Sequence, residues 1–251
     1  MTHSHTYPSW SDEEKPKTLS YRIATWSVKC LAHILCRIDA DQLARVPKDG
    51  PLIVVMNHVN FLEGPIVYTH LLPRRMTGFV KSENLGHPFF GTLLIDLWEG
   101  IPLRRGEADT TAFRQALLAL EAGRILAVAP EGARSGHGRL QQGHPGIAFL
   151  ALRSGVPVLP MACHGGEIIW DNMPRLRRTD FHVAVGQPFH VDTRGAKATR
   201  RARQQIADEI MYQVAALLPP AYRGVYELSA ATETYIHFEP GVKSNIRRAR
   251  G

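Results

Sequence analysis

The stretch PLIVVMNHVNFLEGPIVYTHLL, residues 51–72, decides how the rest of the chain is read. Its first half is a short apolar run rich in β-branched residues and predicts a buried strand. Residues 61–72 predict a helix that stops before Pro73. A strand that feeds a helix is the repeating unit of an α/β sheet, and such sheets bind ligands at the carboxyl ends of their strands. The turn between the two elements carries Asn57 and His58, and Glu63 follows at the start of the helix.

The pattern continues on both sides. Strands are expected over 76–80, 98–103, 125–129 and 156–163, and Phe181, Val183 and Val185 alternate as one face of another. Helices are expected over 88–97, 143–153 and 196–218. A further one is capped by Asp109 or Thr110, gathers Phe113, Leu117 and Leu120 on one face, and ends at Gly123. The alternation predicts an α/β fold: a single domain with a mixed, largely parallel central sheet flanked by helices, plus an N-terminal amphipathic helix. Pro157 and Pro160 would harm a regular central strand, so the 156–163 strand is expected to follow a special backbone path. The expected divisions are a polar tail (1–17), an amphipathic helix region (18–45), the main domain (46–218) and a C-terminal extension (219–251).

At 251 residues, with 44% hydrophobic and 21% charged side chains, the chain can bury a full core, and it is neither a disordered nor a coiled-coil chain as a whole. The net charge of +7 predicts an anionic partner. Residues 1–193 hold 20 basic and 18 acidic side chains, whereas residues 194–251 hold 10 and 5. Most of the excess therefore lies beyond the expected site. Arg194, Lys197, Arg200, Arg201 and Arg203 open the last long helix and could form either a solvated face or a contact with anionic lipid. Three cysteines, Cys30, Cys36 and Cys163, suit a reducing compartment better than a disulfide scaffold. The amino terminus lacks the cationic start and apolar run of a secretory signal. Residues 23–38 form the most apolar stretch, yet Lys29 and Arg37 interrupt it, short of a spanning helix. Within it Leu19, Ile23, Trp26, Cys30 and Ile34 recur at helical spacing, which fits a helix docked on its own domain or one lying in a membrane interface.

Glu63 comes five positions after His58, and a tight turn would bring the carboxylate back to the imidazole. A carboxylate bonded to one ring nitrogen fixes the tautomer and makes the other nitrogen a better base. The spacing alone is common. Other strand ends add to it: IPLRR ends in Arg104 and Arg105, and ILAVA runs into Pro130-Glu131-Gly132-Ala133-Arg134-Ser135. Arginine binds phosphate in a bidentate fashion and keeps its charge. No histidine pattern has metal-ligand spacing, no G-x-S-x-G elbow is present, and no phosphate-cradling glycine motif follows a strand, so no metal is expected.

NHVNFLE, GIPLRR, APEGARS and VPVLPMA occur in this order across residues 57–162. Together they resemble the four blocks of the glycerolipid acyltransferase family, whose first block reads N-H-x-x-x-x-D and whose third reads F-P-E-G-T-R-S. The resemblance implies direct transfer of a fatty acyl group from acyl-CoA or acyl carrier protein to a lysophospholipid hydroxyl, with 1-acylglycerol-3-phosphate the first expectation. It implies no cofactor beyond that co-substrate. His58 would be the general base and Glu63 its orienting carboxylate. Asn57, Lys81, Arg104, Arg105, Glu131, Gly132 and Arg134 would serve acceptor binding, and Pro160 would lie on the acyl-donor side. Three departures bear on this: Glu63 stands for Asp, Arg104 stands where many members carry an acid, and Ala133 replaces Thr. They leave open another lyso-lipid acceptor or a weakly active lipid-binding member. An anionic membrane surface is the other expected partner, with a cytoplasmic, peripheral location on the inner face of the membrane. Nucleic acid is the weakest candidate, since no recognition motif for it is present.

Overall fold

The computed structural model describes residue 10 and residues 18–82, 98–104 and 109–250. The helix expected at 88–97 lies outside the described residues, as does Arg105. Among the described residues seven strands make one sheet: β1 (Cys36–Asp39), β2 (Leu52–Met56), β3 (Met76–Lys81), β4 (Ile101–Leu103), β5 (Ile125–Val128), β6 (Val158–His164) and β7 (Thr179–Val185). Their spatial order is β1-β7-β6-β2-β5-β3-β4. β6, β2, β5, β3 and β4 run parallel, whereas β7 is antiparallel to β6 and carries the parallel edge strand β1. The sheet is thus mixed and largely parallel. The helices are α1 (Leu19–Leu35), α2 (Glu63–Leu71), α3 (Thr110–Glu121), α4 (Gly146–Ser154), α5 (Ile169–Asn172), α6 (Arg200–Ala215) and α7 (Asn245–Arg250).

β2 shows why the apolar run becomes a central strand. All five of its residues are buried between β5 and β6. Successive side chains point to opposite faces. Ile53 and Val55 join the core built with α3, α4 and α6 through Ala116, Ala148 and Ile210. Leu52, Val54 and Met56 join a second core with Ala32 of α1 and Ile66 and Val67 of α2. Helices therefore cover both faces. The capping signals hold: the Asp109 side chain accepts from the Ala112 N–H, and Gly155 closes α4 in the left-handed region.

Pro160 is accommodated by a bulge. Met161 pairs with Val185 and Val158 with Phe189, so the two residues between them on β6 face three, residues 186–188, on the neighbouring segment. The Pro160 carbonyl accepts from Gly186 N–H on that side, and its missing donor falls within the irregular stretch.

Two stretches that read as appendages build the same body. The apolar run 23–38 is split: the helix stops at Leu35, Cys36 turns extended, and residues 36–39 pair with β7. The Arg178 guanidinium holds this corner by donating to the carbonyls of His33 and Cys36. Tyr226, Leu228 and Ile236 of the C-terminal stretch lie in the core beside α6, and β9 (Ile236–His237) pairs with β8 (His190–Val191). The helix expected at 196–218 is shorter, beginning after Thr199, whose hydroxyl accepts from Ala202 N–H. α1 docks through Tyr21, Thr25 and Ala32, with the Tyr21 and Tyr68 hydroxyls 2.9 Å apart. Its stripe Leu19, Ile23, Trp26 and Ile34 points outward.

Candidate active site

Five parallel strands end on one rim, and the polar residues singled out above sit there because each directly follows a strand or the turn after it. β2 delivers Asn57 and His58, β3 ends on Lys81, β4 leads into Arg104, and β5 leads into the Glu131–Arg134 turn.

His58 is fixed at both ends of its peptide unit. Its N–H donates to Glu131 Oε1 at 2.9 Å, and its carbonyl accepts from Ser135 N–H at 2.8 Å. The imidazole Nδ1 lies 3.2 Å from Glu63 Oε2, and the ring is 27% exposed while the carboxylate is 2% exposed. Glu63 opens α2, where the helix dipole favours a negative charge. Both of its oxygens also accept from Asn60 N–H, at 3.1 and 3.2 Å. Asn60 is pinned in turn: its Oδ1 takes the Leu62 N–H and its amide donates to Gly166 O. Asn60, which is not among the site residues expected from the sequence, thus positions Glu63. The signal was available, because an Asn shortly before a helix readily bonds the backbone two residues on. With Nδ1–H donated to the carboxylate, the His58 Nε2 lone pair is left to take a proton.

Two expected ligands serve the framework instead. Asn57 is buried and bonds Cys163 twice, donating to its carbonyl and accepting from its N–H, both at 2.8 Å. This clasps the ends of β2 and β6. Glu131 is also buried, and its second oxygen accepts from Gln141 N–H at 2.9 Å. Burial pushes its carboxyl up from the usual value, while the two N–H donors pull it back. The Cys163 thiol is fully buried and pushed well up, by burial first and by the Glu63 carboxylate second, which marks a packing residue.

The remaining residues surround a cavity of about 530 Å³ that His58 and Glu63 enter. Met56, Phe61, Tyr68, Val80, Trp98 and Leu103 give it apolar walls, and Lys81, Gly132 and Arg134 also line it. Gly132 has φ +68°, and a Cβ there would come within 3.0 Å of the His144 ring. Its N–H closes the turn onto Ala129 O. Arg134 and Arg104 are exposed, and the Arg104 backbone N–H donates to Asp109. An apolar chamber with one imidazole–carboxylate pair and cations at its edge can hold a hydrocarbon chain and an anionic head while a hydroxyl is deprotonated. Among the described residues no group of three or more His, Cys, Asp or Glu comes together to hold a metal ion.

The solved structure of a 1-acyl-sn-glycerophosphate acyltransferase from Thermotoga maritima matches with a TM-score of 0.55 and 21% identity, covering 79% of this chain and 80% of that one. That likeness shows the fold. The 1-acyl-sn-glycerol-3-phosphate acyltransferase of Pseudomonas aeruginosa is 25% identical over 230 residues, 89% of this chain and 81% of the relative. One from Limnanthes alba is 31% identical over 144 residues, 56% of this chain and 50% of that protein, so the likeness spans about half of the plant enzyme. The family model described as Acyltransferase matches residues 37–164, which include His58, Glu63 and the Glu131–Arg134 turn. With more than half of its length matched, the chain belongs to the acyltransferase family.

Proposed function

We propose that this enzyme moves a fatty acyl group from acyl-CoA or acyl carrier protein to the free hydroxyl of a lysophospholipid, with 1-acylglycerol-3-phosphate the preferred acceptor. The observation that carries the reading is the His58–Glu63 pair, 3.2 Å apart at the wall of an apolar cavity edged by Lys81 and Arg134. Curated relatives named for 1-acyl-sn-glycerol-3-phosphate add support for the acceptor. His58 Nε2 takes the hydroxyl proton, and the oxygen attacks the thioester carbonyl. That attack forms the acyl–oxygen bond and a tetrahedral intermediate, whose collapse breaks the carbon–sulfur bond and releases the thiolate, which takes the proton back from His58. No covalent enzyme intermediate is required. Glu63 holds the ring and stabilises the imidazolium while it carries the proton. Lys81 and Arg134 meet the acceptor phosphate, and Arg104 extends the positive edge.

The enzyme works at a membrane surface in this reading. No helix among the described residues is long and apolar enough to cross a membrane. What supports a peripheral placement is the outward stripe of α1, where Leu19, Trp26 and Ile34 are each about two-thirds exposed (71%, 68% and 68%). The test is a panel of lyso-lipid acceptors offered with either donor, read by mass spectrometry of the lipid product. Phosphatidic acid is the expected main product, and His58→Ala is expected to abolish it while the protein stays folded. Failure to acylate any lyso-lipid with either donor, or full activity in His58→Ala, overturns the proposal.

A further inference from the structure

Eleven large apolar side chains stand exposed among the described residues, and they are not scattered. Five lie on α1, and four more, Ile168, Trp170, Met173 and Leu176, lie on one short segment after β6. That segment, residues 166–178, is α5 with a 3-10 turn on either side. It touches both elements that matter. Arg178 clamps its end to the last turn of α1, and the Trp170 ring lies 5.3 Å from the ring of Phe61 in the cavity wall.

Leu176 is the informative residue. It is 95% exposed, and its backbone lies in the left-handed region at φ +50°. A turn facing only water would take Gly or Asn at this position, where a branched side chain strains the backbone and gains nothing from packing. Strain held at a site without packing return points to a use outside the chain. The flanking Arg175 and Arg177 are exposed as well, so an apolar tip stands between two cations beside an interfacial tryptophan. That combination matches an anionic bilayer: the tip enters the acyl boundary while the guanidinium groups stay with the headgroups.

We propose that residues 166–178 form a second membrane contact, which acts with α1 to seat the cavity mouth beside Phe61 and Trp170 against an anionic lipid surface. This rests on the reading that the enzyme works at a membrane. With α1 alone the molecule could roll about the helix axis. A second contact at the end of that helix fixes which side of the sheet faces the lipid, so that an acceptor can enter the cavity directly.

The test is flotation of the full chain with vesicles of phosphatidylcholine and phosphatidylglycerol, and with phosphatidylcholine alone. Leu176→Gly is expected to bind mixed vesicles about tenfold more weakly, since it loses one inserted side chain. Its thermal midpoint should be unchanged or higher, because Gly relieves the left-handed backbone. Arg175→Gln with Arg177→Gln should weaken binding roughly fivefold per arginine on mixed vesicles at low salt, with little change on phosphatidylcholine alone. Turnover of monomeric short-chain acceptor should be unaffected in these variants. Leu176→Gly binding like wild type while Trp26→Ser does not would overturn this second contact and leave the α1 reading standing. A wild-type chain that ignores both kinds of vesicle, or one whose self-association rather than vesicle binding is lost in Leu176→Gly, overturns it too.

Discussion

Replacing Glu63 by Gln keeps the shape of the side chain and removes its charge, which isolates the part of the dyad that electrostatics supplies. The Gln oxygen can still accept from Asn60 N–H or from His58 Nδ1–H, so the turn is expected to survive. What disappears is the attraction between a carboxylate and the imidazolium formed when His58 holds the acceptor proton. At the observed 3.2 Å and an effective dielectric near 20, unit charges attract by about 5 kcal/mol. That is a ceiling, since the His58 ring is 27% exposed and solvent screens part of it. A loss of about 3–4 kcal/mol in transition-state stabilisation corresponds to a fall of roughly 150-fold to 1000-fold in kcat/KM. The assay follows thiol release from acyl-CoA with detergent-dispersed 1-acylglycerol-3-phosphate, with circular dichroism and thermal unfolding checking the fold. The fall should be carried mainly by kcat, because the charge matters only once the proton has moved. Glu63→Asp separates charge from reach: it keeps the carboxylate but withdraws it by about one bond length, ~1.5 Å. The turn cannot readily follow, being tied through His58 to Glu131 and Ser135 and through Asn60 to Gly166. Its rate is expected between those of wild type and Glu63→Gln. A folded Glu63→Gln enzyme within about threefold of wild type would refute the dyad.

Glu131→Gln should cost about 3 kcal/mol in urea unfolding, because one of the backbone donors of His58 and Gln141 must then face an amide NH₂. Its pH dependence has a definite sign. Burial raises the Glu131 carboxyl in the folded protein, so the native state binds its proton more readily than the unfolded chain does. The stability it contributes therefore grows as pH falls from the raised value towards the usual 4.5, and the penalty of Glu131→Gln should widen over that window. A penalty independent of pH there would contradict the assignment. Gly132→Ala should lower stability by about 2 kcal/mol through the left-handed φ and contact with the His144 ring, seen as a drop in thermal midpoint. At the far rim, Glu99 pairs with Arg75 and with the buried Arg124, over which the Trp10 ring stacks. Glu99→Gln should destabilise by about 3 kcal/mol while leaving kcat near wild type; lost activity without lost stability would mean that Glu99 serves the site.

The parts of the fold legible in the sequence are those decided by local chemistry. β2 was readable because an uninterrupted β-branched run is buried on both faces, and α3 because Asp109 caps it. The bulge at Pro160 was half legible: the prolines announced an irregular strand, but its form depends on Gly186 and Phe189, which approach from another part of the chain. β1 was hidden because Cys36 and Ile38 extend the apolar stretch of α1 and no Gly or Pro separates helix from strand. Its extended backbone is imposed by pairing with β7, some 140 residues away in sequence. The same limit governs α1. Periodicity revealed an apolar stripe without saying whether it docks; in the structure it points outward, and the docked face is the one that carries Tyr21, Thr25 and Ala32.

A similar division runs through the site and explains why ligand and framework were hard to separate. Composition marks Asn57, Asn60, Glu131 and Arg134 alike as polar residues at strand ends. Only the distribution of backbone donors and acceptors tells them apart. A turn that presents His58 to a cavity interrupts the regular ladder, so its peptide groups need other partners. Glu131 and Asn60 meet that need at His58 and Leu62, and Asn57 ties the start of the turn to β6; all three are buried. They are tightly constrained, since removing any one leaves buried groups unsatisfied. Arg104 and Arg134 are exposed and carry no such duty, so a change there alters the charge at the cavity edge without disturbing the turn. Under the proposed function, proton removal belongs to this interlocked frame and selection of the acceptor head group to exposed side chains that can vary independently. The proposed function makes the arginine at position 104 a specificity variation laid over the His58 turn, and the acceptor panel, rather than the fold, is where its effect should be read.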